Sequence, residues 1–212
     1  MTKASSDDPV SGSVTGPVAG VLLAAGAGRR MGFPKSQLRH GDGVSYLDRA
    51  VGVLLDGGCA TVTVVLGASA DVAVDLLDEA GWSADHRVSV VVATDWDEGM
   101  GASLRHGLTA LSEAYLEPDA AVVTLVDLPD VTVEVVARLL DGPVGPDALA
   151  RASYRGEAGH PVVLGREHWA GVVDVAADDL GAREYLASRP VRLVECADLA
   201  TGRDVDHPSD LP

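Results

Sequence analysis

The sequence predicts an α/β protein with a doubly wound, mostly parallel sheet. Three observations carry that expectation. Short Val-rich runs alternate with segments of helical periodicity in β-α-β-α order. The strand runs are apolar at successive positions, so both of their faces need cover, as in a parallel sheet between two helix layers. Segments rich in glycine or polar residues fall where those runs end, and open sheets of this kind bind ligands beyond the carboxyl ends of their strands.

Residues Met1 to Gly16 are rich in Ser, Thr, Asp and Gly, the composition of a disordered tail, which leaves 17–212 as the folded domain. The first strand is expected over Val18 to Ala25, then a helix over Tyr46 to Leu55. A strand over Thr61 to Leu66, a helix over Asp71 to Ala80 and a strand over Arg87 to Ala93 follow. Ser103 reads as the cap of a helix whose Leu104, Leu108 and Leu111 face the core. Ala120 to Val126 is the next strand. Thr132 then reads as an N-cap, with Val133, Val136, Ala137 and Leu140 on one helical face at i, i+3, i+4 and i+7. In the last third, strands over Ala148 to Tyr154 and Pro161 to Leu164 flank a turn at Arg155 to Gly159. Leu180 to Ser188 reads as a helix and Val191 to Cys196 as a strand. There is no internal repeat or interdomain linker, so one domain is expected.

A chain of 212 residues with 47% hydrophobic content has the means to bury a sizeable core. Its net charge of −16 argues against general binding to nucleic acid or to an anionic membrane. A single nucleotide stays open, because local charge outweighs net charge within a Debye length, about 8 Å. Cys59 and Cys196 have neither metal-ligand spacing nor the pattern of a disulfide framework. With no signal-peptide pattern and no apolar run of membrane-spanning length, a cytoplasmic location is expected.

The stretch Val21 to Lys35, VLLAAGAGRRMGFPK, carries most of the chemistry. No Asp or Glu occurs between Asp8 and Asp42, so Arg29, Arg30, Lys35 and Arg39 form a cationic island in an acidic chain. Flexible backbone amides beside such an island suit a polyphosphate. Gly26, Gly28 and Gly32 spell G-x-G-x-x-x-G, one residue longer than the dinucleotide-binding fingerprint, and Lys35 follows Pro34 rather than the glycine of a Walker loop. A plain strand-to-helix turn explains Gly26 and Gly28 as well as a ligand loop does. Lys35, one of two lysines in the chain, tips the balance toward charge stabilisation at a phosphoryl group.

Carboxylates suited to a metal occur twice. Asp127 directly follows the apolar run Val122 to Val126, where it can hold Mg²⁺ against triphosphate oxygens or simply start a turn before Pro129. In DVDHPSDL, alternation puts Asp204 and Asp206 on the same side of an extended segment. From the residues alone, an acidic, solvated end is the stronger reading of that segment.

LLAAGAGRRMGFPK resembles the signature loop of nucleotidylyltransferases, L-A-[AG]-G-x-[GS]-x-R-M-G-x-x-K. The later segments resemble the molybdenum cofactor cytidylyltransferase-like branch of the MobA/MocA-like family. Asp95-Trp96 and Gly99 to Arg105 match D-W-x-x-G-M-x-x-S-L-R, Asp127-Leu128-Pro129 matches D-x-P, and Gly156 with Gly159-His160-Pro161 matches G-x-x-G-H-P. Gly181-Ala182-Arg183 matches G-A-R, and Asp204 to Leu211 is similar to D-I-D-T-P-E-D-L, with His207 in place of Thr. Ser36 and Gln37 depart from the branch's apolar residues and are closer to the methylerythritol enzyme.

The resemblance implies a Rossmann-like, nucleotidyltransferase-type fold and transfer of an NMP from an NTP to a phosphorylated acceptor, with release of pyrophosphate. It puts nucleotide binding on Leu23, Ala24, Ala25, Gly26, Gly28, Arg30, Lys35, Asp95 and Ser103. Lys35 and Arg30 take the catalytic charge-stabilising roles, and Asp127 and Asp206 hold Mg²⁺. His160 and Arg183 fall on the acceptor side, although an ion pair from Arg183 to the nearby Asp178 or Asp179 is slightly favoured over an acceptor phosphate contact. Ala24-Ala25-Gly26 favours CTP, with molybdopterin as acceptor and transient contact with a molybdoenzyme or its maturation factor. The alternatives are another phosphorylated metabolite as acceptor, or a non-catalytic accessory protein that binds nucleotide or cofactor.

Overall fold

The computed structural model describes residues 16–115 and 117–210. Apart from Gly16, the expected tail lies outside the described residues. Seven strands form one sheet: β1 (Val18–Ala24), β2 (Thr61–Leu66), β3 (Val88–Val92), β4 (Ala120–Leu125), β5 (Leu149–Tyr154), β6 (Glu157–Gly165) and β7 (Arg192–Glu195). Their order is β3-β2-β1-β4-β6-β5-β7. Only β6 runs against the others. The α-helices among the described residues are α1 (Tyr46–Asp56), α2 (Ala70–Glu79), α3 (Met100–Ser112), α4 (Val133–Leu140), α5 (Arg166–Val175) and α6 (Arg183–Ala187).

Strand alternation divides the core in two. Leu22 and Ala24 of β1 pack with Leu47, Val51 and Leu54 of α1, Leu77 of α2 and Val136 of α4. Ala19, Val21 and Leu23 face the other way, onto Leu104 and Leu108 of α3, Val172 of α5 and Leu186 of α6. Each fully buried leucine in these layers contributes roughly 1.5–3 kcal/mol through removal of apolar surface from water. Local chemistry places the helices. Ser45 Oγ accepts from Asp48 N at 3.0 Å and caps α1. On α3, a Cβ at Gly107 would lie 2.7 Å from Val21, so glycine lets this helix sit close on the sheet.

This packing fixes where a ligand can go. β1 is flanked by β2 on one side and β4 on the other, and chain connections diverge at that point. The crevice beyond the carboxyl ends of β1 and β4 is the topological switch point.

Four expectations need correction. β3 is not a strand buried on both faces: it is the sheet edge, with Val90 and Val92 40% and 48% exposed. The buried face of α4 is Val135, Val136 and Leu139; Ala137 is exposed, because the helix axis lies rotated from the register the i, i+3, i+4 pattern suggested. The turn after β5 is confined to Arg155 and Gly156, since residues from Glu157 onward already pair with β5. The helix expected over Leu180 to Ser188 is broken at Gly181 (φ 53°), which separates a 3-10 turn at Asp178–Leu180 from α6.

Candidate active site

Four segments far apart in sequence meet beyond the carboxyl ends of β1 and β4. They line a cleft of about 860 Å³ with residues from the glycine loop, the Trp96–Ser103 stretch, Asp127 and the Asp204–Asp206 stretch. That is room enough for a nucleotide with part of a second substrate.

The loop's shape follows from its glycines and from one anchor. Gly28 has φ 59°, and a Cβ there would overlap the Phe33 carbonyl oxygen. The Gly28 carbonyl accepts from Met31 N and Gly32 N, both at 2.9 Å. Met31 is buried in the core, which pins the loop and leaves Arg29 and Arg30 exposed. Among the described residues, the amides of Gly26, Ala27 and Gly28 donate to no protein acceptor. A run of such amides is a ready acceptor of phosphate oxygens. Leu23, Ala24, Gly26 and Gly28 line the cleft, whereas Ala25 is buried and its carbonyl accepts from Ala68 N at 3.0 Å.

Pro34 leads into a single 3-10 turn, Lys35–Gln37, which aims Lys35 across the cleft. Its Nζ donates to Asp127 Oδ2 at 2.6 Å and to Asp206 Oδ1 at 2.5 Å. Arg30 Nη1 reaches Asp206 Oδ2 at 3.0 Å. The far segment is tied down on both sides. Val205 is buried and its N donates to the Asp127 carbonyl, while Asp210 Oδ2 accepts from the amides of Asp206 and His207. With Val205 turned inward, Asp204 and Asp206 both face Asp127, and one carboxylate oxygen from each of the three lies within 4.8 Å of the others.

The electrostatics follow from burial and pairing. Burial pulls the Lys35 ammonium down, but hydrogen bonds and charge from Asp127 and Asp206 outweigh it and hold it above its ordinary value. Burial pushes the Asp127 carboxyl up, only partly offset by Lys35. The hydrogen bond from Lys35 holds Asp206 below the usual carboxylate range.

A cation fits this cluster. Asp127 Oδ1 is buried and has no hydrogen-bond partner, so one of the three clustered carboxylates retains an unmet acceptor. The cleft as a whole carries seven carboxylates against four cations. An anionic triphosphate therefore enters this field best with a cation of its own. Asp204 was not singled out above Asp206 as a metal ligand; the alternation that places both on one side was the signal.

Other expected residues fall in different places. Ser103 lines the cleft, but it lies within the first turn of α3 rather than capping it; the cap position is Gly99, which has no side chain to accept a bond. Close approach explains the neighbouring glycines: a Cβ at Gly99 or Gly101 would meet the backbone of Asp178 or Ala177 at 2.5–2.6 Å. Asp95 does not line the cleft. Its carboxylate is taken by His106 Nε2 at 2.6 Å and Arg105 Nη2 at 3.1 Å, which turns it onto α3. Arg183 lines the cleft, and among the described residues it makes no ion pair with Asp178 or Asp179. The five-residue α6 starts at Arg183, after Gly181 has turned the chain away from the 3-10 turn that carries those acids. His160 lies in a side pocket that opens beside Arg183.

The profile of the MobA-like NTP transferase domain matches residues 20–194, from β1 through β7. The chain belongs to that family. A MobA-like NTP transferase is a nucleotidyltransferase; the glycine loop, Lys35 and Asp127 lie inside the matched span, and Asp204 and Asp206 follow its end by ten and twelve residues. The chain is 35% identical over 205 residues to a protein of Paenarthrobacter nicotinovorans named nicotine blue oxidoreductase, covering 89% of this chain and 92% of that one. Among solved structures it is similar to Rv0371C of Mycobacterium tuberculosis in complex with manganese. That similarity is 28% identity over 92% of this chain and 95% of the other, with a TM-score of 0.68. A nucleotidyl transferase from Methanothermobacter thermautotroptrophicus has the same fold, with a TM-score of 0.74 at 22% identity over 92% and 94% of the two chains. The family match thus agrees with the doubly wound fold expected from the strand and helix pattern. Among the described residues, no helix is long and apolar enough to cross a membrane.

Proposed function

We propose that this protein transfers a nucleotidyl group, CMP in the first instance, from an NTP to a phosphorylated acceptor, molybdopterin, with release of pyrophosphate. The observation that carries the reading is the convergence of Lys35 and Arg30 with Asp127, Asp204 and Asp206 at the mouth of the glycine loop. In this reaction an acceptor phosphate oxygen attacks the α-phosphorus, forming a new P–O bond. The bond from the α-phosphorus to the oxygen bridging to the β-phosphorus breaks, and its electron pair leaves with pyrophosphate. The amides of Gly26, Ala27 and Gly28 orient the triphosphate. Lys35 and Arg30 stabilise the charge that builds on the α-phosphoryl group and the leaving pyrophosphate. Asp127 and Asp206, with Asp204 beside them, would hold Mg²⁺, which when bound would screen the repulsion between the two anions. Ser103 contacts the nucleotide from the α3 side, and Asp95 acts indirectly, by pairing with Arg105 and His106 of α3.

Ala24-Ala25-Gly26 supports CTP over GTP through the branch it resembles. Two buried free cysteines, Cys59 and Cys196, fit a reducing, cytoplasmic setting. The deciding experiment is pyrophosphate release with Mg²⁺ and each of CTP, GTP, ATP and UTP, with and without molybdopterin. Release that needs CTP and acceptor together supports the reading. Release with a different NTP removes the CTP preference, and NTP binding without any turnover favours an accessory protein that carries nucleotide or cofactor to a molybdoenzyme.

A second reading is favoured by one observation, the 35% identity to a protein named nicotine blue oxidoreductase. On that reading the cleft takes a hydride donor and reduces a dye. The end of β2 argues against a dinucleotide there, since Leu66-Gly67 offers no acid to grip a ribose. Bleaching of nicotine blue with NADH or NADPH, in the absence of any pyrophosphate release, would overturn the transferase reading in its favour.

A further inference from the structure

Beside Arg183 the cleft runs into a side pocket of about 70 Å³. At about 30 Å³ per water, that is space for a group of a few heavy atoms and not for a second nucleoside. Its walls are mostly apolar, formed by Leu23, Leu104, Val123, Val162, Leu164 and Leu186. Three side chains break that lining: Arg151 on β5, His160 on β6 and Arg183 at the start of α6. Asp179 stands at the rim shared with the main cleft.

Among the described residues, Arg151 and Arg183 enter no ion pair, with Asp179 or any other carboxylate. Arg151 Nε donates to the Gly159 carbonyl at 3.1 Å, which fixes the guanidinium and leaves its terminal amino groups without a described partner. Burial, and then the charge of Arg183, pulls the Arg151 guanidinium below its ordinary value. Burial followed by both arginines pushes His160 down to about 4, so near neutral pH it presents an uncharged imidazole. The Tyr154 hydroxyl donates to the His160 carbonyl at 2.7 Å and holds that strand in place. Two like charges on the wall of one mostly apolar pocket, Arg151 half-buried and Arg183 exposed, repel each other unless an anion joins them.

We propose that Arg151, His160 and Arg183 form an anion subsite that grips a compact oxyanion on the acceptor, distinct from the oxygen that attacks the nucleotide. Arg151 is the specificity-determining residue here: of the two arginines it is the less exposed, and its Nε bond to the Gly159 carbonyl fixes the guanidinium. This rests on the transferase reading only for the identity of the acceptor; the anion site itself does not need it.

The test follows the Nε–H signals of Arg151 and Arg183 by NMR in the full chain, titrated separately with inorganic phosphate, molybdate and acetate. Both signals should move together and saturate, and the anion that binds best names the class of group on the acceptor. Arg151→Gln and Arg183→Gln should each weaken that binding at least tenfold, as loss of a charge-assisted pair does. Arg155→Gln, on the exposed turn between β5 and β6, should leave it unchanged. Arg183 is exposed, so its variant keeps the test standing if loss of the Arg151–Gly159 bond unfolds the other. In turnover, both variants should raise the acceptor KM at least tenfold and leave the NTP KM alone. Signals that move with none of the three anions, or that move equally in Arg183→Gln, overturn the subsite. Absence of pyrophosphate release in the wild type would overturn the transferase reading instead and leave the anion titration intact.

Discussion

The Lys35 ammonium lies 2.5 Å from Asp206 Oδ1, although 171 residues of chain separate the two. The same ammonium is 2.6 Å from Asp127, so it sits between two of the three carboxylates suited to a metal. Lysine and metal are therefore rivals for the same carboxylates. A divalent cation on these carboxylates would leave Lys35, and with it Arg30, available to a triphosphate in the cleft. Lys35→Met should bind Mn²⁺ several-fold more tightly than the wild type, read by isothermal titration or by the EPR signal of free Mn²⁺. Weaker binding in the variant would show that Lys35 organises the carboxylates instead of competing for them.

The same substitution should lower kcat by about 10²- to 10³-fold, the usual cost of losing one stabilising group for developing charge. The fold should persist, because Lys35 is partly exposed and its turn is set by Pro34 and the buried Leu38. Wild-type turnover in a folded Lys35→Met protein would remove Lys35 from the mechanism.

Asp127→Asn keeps the side-chain volume and removes the charge. Divalent metal affinity should fall at least tenfold. Stability should change by no more than about 1 kcal/mol, since burial already disfavours the ionised form of this carboxyl. Metal titration alongside a urea melt checks both, and a large loss of stability would mean that the Lys35 pair is primarily structural.

The glycine loop separates conformation from contact. Gly28→Ala forces a Cβ into the Phe33 carbonyl at φ 59° and should cost roughly 1–3 kcal/mol in unfolding free energy. A Cβ at Gly26 meets nothing within 4 Å, so Gly26→Ala should fold normally and lose NTP affinity alone. Thermal melts with and without CTP distinguish them; equal stability of the two variants would contradict the loop geometry.

His160 makes stability pH-dependent. Its pKa falls from 6.5 unfolded to about 4 folded, through burial and then the two arginines. Below pH 6.5 the unfolded chain takes up a proton that the folded chain refuses, so stability drops as pH falls and the loss is complete near pH 4. At pH 5 the loss from this group is about 2 kcal/mol. Urea melts at pH 7 and pH 5 should show that difference in the wild type and not in His160→Gln. Parallel losses in both proteins would place the titrating group elsewhere.

Much of this protein is determined by its sequence taken alone. Alternating apolar runs with helical segments between them leave a chain few ways to bury both, so the strand and helix order was legible from periodicity. The loop from Gly26 to Lys35 was legible too, because a charge island and turn glycines are local features. What periodicity does not encode is which strand ends at an edge. β3 has the composition of a central strand, and only its pairing to β2 alone exposes Val90 and Val92. Nor does it encode where a side chain's partner lies. Asp95 looked like a ligand contact until α3 brought Arg105 and His106 against it. Nothing local marks Arg151, which only the pairing of β5 with β6 brings into one pocket with His160 and Arg183. Asp204 and Asp206 read as a solvated end until the bond from Val205 to Asp127 folded them over β4. Such assignments wait on tertiary structure because charge and hydrogen bonding act over a few ångströms of space, whatever the distance along the chain.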